Sequence, residues 1–290
     1  ECTEIIGNRA FEGAKFTGPL IIEDSVKSIG DNAFGYCTEF QSLYLGNSLE
    51  TIGDGAFQWT EFYGDLFIPY SVKTIGQFSF LNCDNFDSIN IESGSLETVA
   101  PSAFVSCDGF KSGILDFGNY CSSIGAYAFN GWSSFDGKLI FPTNENYTEI
   151  EQRTFFGWEN FTSDLEIPSN VKIIKEKAFQ SMGQLTTCGE LKFNEGLERI
   201  DSFAFDNTHF LGNIILPDSV TGVDDNAFSN SLFDGYIKFS SNMKTISRAV
   251  FLNNLSLTGP IDIPNGVTTI EQQAFLSCNS LSGPITIPDS

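Results

Sequence analysis

The chain has 290 residues and a mass of 31.8 kDa; its apolar share of 41% supports a sizeable core, yet no apolar run reaches the roughly 18 residues of a membrane span. Thirty-seven acidic residues against 15 basic ones leave a formal charge of −22, which argues against nucleic-acid binding and against electrostatic docking on anionic lipid. A single histidine, His209, leaves little for His-based catalysis or metal ligation, while 29 phenylalanines and 27 glycines are a bias that points to internal repetition.

From the N-terminus onward one set of elements returns at a fixed offset. Its anchor is the dipeptide Ala-Phe, with Phe11, Phe34, Phe57, Phe104, Phe129, Phe179, Phe205, Phe228 and Phe275; Ser79-Phe80, Thr154-Phe155 and Val250-Phe251 fill the gaps. The twelve anchors are 23 to 26 residues apart. From the second copy onward each opens with an apolar–x–apolar triplet, such as Leu20/Ile22, Leu43/Leu45, Leu66/Ile68, Leu165/Ile167 or Ile261/Ile263, which predicts a short half-buried strand. Proline then stops the strand at Pro69, Pro142, Pro168, Pro217, Pro264 and Pro288, having no N–H for the ladder, and a polar turn follows. Val-x-x-Ile predicts a second short extended segment, often closed by glycine (Gly30, Gly53, Gly76, Gly125). Its last residue, five before the anchor, is β-branched in all twelve copies, from Ile6 and Ile29 to Ile246 and Ile270. The Ala-Phe stretch predicts a short helical turn. Six residues beyond the anchor, Phe40, Phe86, Phe110, Phe135, Phe161, Leu185, Leu257 and Leu281 predict a further apolar contact.

One copy holds too few apolar side chains to offset the ordering of its own backbone, so neighbours must cover its upper and lower faces. The predicted fold is a strand-rich solenoid with short helical turns. Its twelve stacked repeats of 23–26 residues would form a rod or gentle arc, on the order of 55–60 Å long at about 4.8 Å per coil. Residues 1–290 read as one domain, with a local bulge near 140–150. No leader of the secretory kind opens the chain and neither end carries a polar cap, so it reads as part of a longer array.

The run Leu165-x-Ile167-Pro168-Ser169-x-Val171-x-x-Ile174-x-x-x-Ala178-Phe179 resembles the BspA-like leucine-rich repeat, as does Ile263-Pro264-x-x-Val267-x-x-Ile270-x-x-x-Ala274-Phe275-x-x-Cys278-x-x-Leu281. The resemblance covers the whole chain and implies a leucine-rich-repeat solenoid. It also implies a secreted or cell-surface protein that adheres to host extracellular matrix, host cells or other microbes. It brings no catalytic residues, and Phe155 departs from the pattern by lacking the preceding alanine.

The middle residue of each triplet should face away from the core: Ile21, Tyr44, Phe67, Asn90, Asp116, Ile140, Glu166, Lys192, Ile215, Lys238, Asp262 and Thr286. Ile21, Tyr44 and Phe67, continued by Asn90 and Asp116, are the candidate protein-binding row. Trp132 and Trp158, each three residues past an anchor, would either stack sugars or fill the edge of the core. Seven cysteines without Cys-x-x-Cys suit neither zinc nor a disulfide framework; Cys83 and Cys107 share a phase, and buried free thiols are the favoured reading. Asn146, Asn160 and Asn254 lie in N-glycosylation tripeptides, and Asp224-Asp225-Asn226 lacks the spaced oxygens of a calcium loop. With no nucleophile elbow or phosphate loop, the expectation is a non-enzymatic scaffold without cofactor or metal. Its role would be protein binding, with a passive stalk or a carbohydrate-binding module as alternatives.

Overall fold

Tight backbone coiling follows directly from the 23-residue spacing. In the structure, a computed structural model describing residues 2–91 and 94–289, each copy makes one coil of a β-solenoid and pairs in parallel with the next. The chain divides into two compact units, Glu1–Tyr147 and Thr148–Ser290.

In the first unit the Val-x-x-Ile segments form a six-stranded parallel sheet from Ile5–Ile6 through Ser28–Ile29, Thr51–Ile52, Thr74–Ile75 and Thr98–Val99 to Ser123–Ile124. The triplets form the second wall. Gly18–Ile21 pairs with Phe40–Tyr44, and Gly64–Ile68, Phe86–Ile91, Ser112–Asp116 and Lys138–Ile140 make a four-stranded parallel sheet. The second unit repeats the plan. Glu149–Ile150, Ile173–Ile174, Arg199–Ile200 and Gly222–Val223 form one sheet, Thr245–Ile246 pairs with Thr269–Ile270, and the triplet pairs are Leu165–Ile167 with Leu191–Phe193 and Ile214–Ile215 with Ile237–Lys238.

Between the walls run the anchors. Ten of the twelve are buried, whereas Phe11 is 40% exposed and Phe275 is half-buried. Register forces their rings into stacks: Phe80 and Phe104 lie 4.8 Å apart and 2° from parallel. The stack in the second unit, Phe155 to Phe275, steps by 5.1 to 5.7 Å. A parallel stack in the first unit joins Phe40, Phe62, Phe86 and Phe110. Phe62 enters it from five residues past its anchor rather than six. Leu185, expected to make this contact, is instead 66% exposed.

The Ala-Phe stretch is not helical, and the described residues contain no helix. The residues two before and two after every anchor have positive φ, as at Ser102 (57°) and Ser106 (56°) around Phe104. Alternation of left- and right-handed conformations splits the N–H groups into two sets. Those of Ser102, Phe104 and Ser106 donate to Ala126, Ala128 and Asn130 of the following coil at 2.8–2.9 Å, while Ala103 and Val105 close turns onto Ala100 and Ser102. A helix would direct every N–H within its own coil. Here half of them tie coil to coil. The strand layer returns the favour, since Lys73 and Gly76 donate to Glu50 and Ile52 of the preceding coil.

Three residues past the anchor lies a buried slot whose occupant usually carries a hydrogen-bond donor. Cys37, Cys83, Cys107 and Cys278 donate S–H to the anchor carbonyl of the preceding coil at 2.8–3.2 Å. Trp132 Nε1, Ser231 Oγ and Asn254 Nδ2 do the same at 2.7–2.9 Å. Thr60 and Thr208 turn to their own anchor carbonyls. Ala14 and Met182 occupy the slot without a donor. A buried carbonyl without a partner is costly, so the slot selects a compact X–H group rather than apolarity alone. The cysteines are free thiols, including Cys83 and Cys107. Burial pushes the Cys107 thiol well above its ordinary pKa and that of Cys121 up to about 12.

Three tests follow from this geometry. Ser106→Val places a β-branched residue at positive φ and should cost about 1–2 kcal/mol in urea unfolding, whereas Ser106→Gly should cost little; equal losses would show that the left-handed position imposes no demand. Cys107→Val should be less stable than Cys107→Ser by about 1–3 kcal/mol despite its greater apolarity, because only serine keeps a donor for Phe80. A thiol reagent applied to the native protein should react rapidly with exposed Cys2 alone, and with all seven cysteines after denaturation.

Candidate protein-binding face

Because side chains alternate along a strand, the triplets that send Leu66 and Ile68 into the core send Phe67 outward. Parallel register then sets these outward residues side by side. Ile21 pairs with Tyr44, Phe67 with Asn90, and Asn90 with Ile114. The two sheets are joined by Tyr63 N–H donating to the Gln41 carbonyl at 2.8 Å. Ile21, Tyr44 and Phe67 are 56%, 59% and 44% exposed.

The fifth expected member needs correcting. Asp116 stands one pleat farther along, pairs with Ile140, and its carboxylate accepts the Gly118 N–H at 3.0 Å. Ile114 holds the place in register, 46% exposed, and continues the apolar row beyond Asn90. Half-buried Asn90 supports that rung by accepting the Ile114 N–H. Tyr63, just before the strand Gly64–Ile68, and Tyr70, just past Pro69, are exposed as well. Neither carries an alternation signal, since Gly64 at φ 84° and the register shift between Gly64 and Asp65 interrupt the pleat before Tyr63, and Tyr70 lies past the strand.

In the second unit the outward positions are mostly polar. Glu166 pairs with Lys192 at 2.9 Å, Lys238 and Asp262 are exposed, and Ile215 is the apolar exception, 42% exposed. Asn194 and Lys192 both hydrogen-bond the Glu166 carboxylate, and with the lysine's charge they hold it below its usual pKa.

The remaining candidates fall away from this face. Trp132 and Trp158 are fully buried, so neither ring offers a sugar platform. Of the glycosylation tripeptides, Asn146 is exposed in a turn and Asn160 is half-buried, whereas Asn254 is fully buried with its amide donating to the Phe228 and Phe251 carbonyls. That placement leaves no space for a glycan on the folded chain. His209 has Nδ1 3.0 Å from the Thr186 carbonyl, and Arg248 pairs with Asp225 at 2.8 Å. Among the described residues no cluster of three or more His, Cys, Asp and Glu could hold a metal ion, and no helix is long and apolar enough to cross a membrane.

Comparison with known proteins places this geometry. The BspA type leucine rich repeat region matches residues 4–136, 98–233 and 184–290. A leucine-rich repeat protein from Bacteroides ovatus aligns at 24% identity and TM-score 0.61 over 96% of this chain and 69% of its own. The pneumococcal vaccine antigen PcpA aligns at 17% identity and TM-score 0.50 over 99% and 85%. A leucine rich cell surface protein from Faecalibacterium prausnitzii aligns at 20% identity and TM-score 0.45 over 96% and 75%. No curated protein sequence matches. With the family pattern spanning both units and the solenoid formed coil by coil, the chain belongs to the BspA-type leucine-rich repeat family.

Proposed function

We propose that this chain is a non-enzymatic display scaffold, active at the cell surface, that binds a protein through the outward row of the first unit. The observation that supports this most directly is the run of exposed apolar side chains Ile21, Tyr44, Phe67 and Ile114, supplemented by Tyr63 and Tyr70. Aromatic side chains on a rigid sheet give contact area with little ordering cost, which is what an interface anchor requires. The partner class, a host-matrix, host-cell or microbial surface protein, rests on family membership. The repeat phase runs through both units, and we read 1–290 as one functional array with the second unit's polar face as spacing. That spacing role is the second reading: were the first unit equally passive, the whole chain would be a stalk.

The test is the double variant Tyr44→Ser/Phe67→Ser in attachment to immobilised matrix and cell-surface proteins. Both side chains are exposed, so unfolding stability should change by less than about 1 kcal/mol, while attachment should weaken by at least about tenfold. Ile215→Ser, an outward apolar residue of the second unit, should leave attachment unchanged. Retained attachment in the double variant would remove the site, and no attachment by the parent chain would favour the stalk.

A further inference from the structure

Trp59 is the one tryptophan on the surface, 46% exposed, where Trp132 and Trp158 are buried. It stands two residues past its anchor at φ 55°, and Tyr36 has the same place one coil earlier, at φ 62° and 48% exposed. In ten other copies this left-handed position holds glycine, asparagine or serine, the residues best suited to it or at least small. Two bulky aromatics therefore sit together where local backbone preference disfavours them. Asn82 is next in the same file.

These side chains line a cleft of about 440 Å³ together with Glu61, Asp84 and Asn85. That volume lies toward the low end of small-ligand pockets. Its charge is one-sided: neither carboxylate has an ion-pair partner among the described residues, and no basic residue lines the cleft. Asp84 accepts the Asp108 N–H at 3.3 Å. Its pKa is raised, chiefly by partial burial and further by the Asp108 charge, with the Asp108 N–H acting in the opposite direction. Elsewhere the chain covers surface rings with its own cations, Arg153 over Phe156 at 5.4 Å and Lys177 over Phe203 at 5.3 Å. Among the described residues no cation covers Tyr36 or Trp59.

We infer that the Tyr36–Trp59 cleft is a binding site for a cationic side chain of a polypeptide, arginine before lysine. A guanidinium lies flat on an aromatic face while its N–H groups reach a carboxylate, so one group would satisfy both the ring and the unpaired acids. A neutral sugar would stack on the rings and donate hydroxyls to the carboxylates, but it would leave their two negative charges without a countercharge, which a guanidinium supplies together with its N–H groups. The cleft opens where the chain leaves the turn for the strand Gly64–Ile68. It does not depend on the strand-face reading, because a single amino-acid derivative suffices to probe it.

The experiment is a titration of the whole chain with N-acetyl-arginine amide, followed by the indole resonance of Trp59 and its neighbouring amides. Its uncharged counterpart, N-acetyl-citrulline amide, and a neutral disaccharide serve as controls. The expected result is a saturable shift at Trp59, Tyr36 and Asp84, with affinity at least about fivefold weaker for citrulline and for the Glu61→Gln/Asp84→Asn variant. Trp59→Asn, which suits the left-handed position as Asn82 does, should abolish it, with unfolding stability confirming the fold. A same-sized charge change elsewhere, Glu23→Gln/Glu145→Gln, should leave the affinity unchanged. Equal shifts with citrulline, equal losses in the remote charge variant, saturation by the disaccharide instead, or no saturable shift would each overturn the assignment.

Discussion

Around Phe104, the N–H groups at alternate positions of the Ala-Phe turn find their acceptors outside their own coil. Ser102, Phe104 and Ser106 reach up to the next copy, and the strand segments around Lys73 and Gly76 reach down to the previous one. A buried donor without an acceptor is destabilising, so a coil lacking a neighbour leaves backbone groups as well as apolar rings uncovered. Stacking is thus a condition for forming the coil rather than a later association of finished units. The aromatic columns obey the same register. Phe80 lies parallel to Phe104 because the backbone bonds on either side set the step, and the rings fill the space that step leaves.

This division of labour accounts for what could be read from the chain itself. The anchors and the β-branched residues five before them occupy fully buried places with tight volume limits, so their identities repeat and the solenoid is visible from them. Backbone conformation was harder to see. Residues two before the anchor include Arg9, Phe78, Tyr127 and Phe203, which give no hint of positive φ. Two after it, Asn and Gly recur often enough to have signalled a left-handed turn and to have argued against a helix. The strand row was legible while spacing stayed at 23 residues and slipped once it lengthened. Beyond Asn90 only pairing identifies Ile114, 24 residues on, rather than Asp116 as the neighbour.

The donor slot accounts for four of the seven cysteines, Cys37, Cys83, Cys107 and Cys278. Thiol, indole, hydroxyl and amide all appear there because each offers a donor to the preceding anchor carbonyl, and cysteine is among the more compact of them. Sequence comparison by apolarity groups Cys with Met and Trp; hydrogen-bond accounting groups it with Ser and Asn. The buried Asn254 is the telling case, since its amide lies where Cys107 has its thiol, and the tripeptide that marks it as a glycan acceptor is a by-product of that structural need.

Electrostatics separates what the scaffold uses internally from what it presents. Successive coils place Lys27 beside Glu4, Lys73 beside Glu50 and Lys111 beside Asp87, and much of the small basic complement is spent in such rung-to-rung pairs. Exposed pairs of this type add little stability each. They do leave an excess of unpaired carboxylates on the surface, with Glu61 and Asp84 among them beside bare aromatic rings. At physiological ionic strength a charge is felt over roughly 8 Å, so the net −22 of the chain guides encounter only near the surface. Selectivity must then come from places where acids stand next to a specific shape. The fold supplies such places cheaply: the core dictates one residue in a few, and every coil leaves its outward strand position and its left-handed turn free to carry a side chain that the interior does not require.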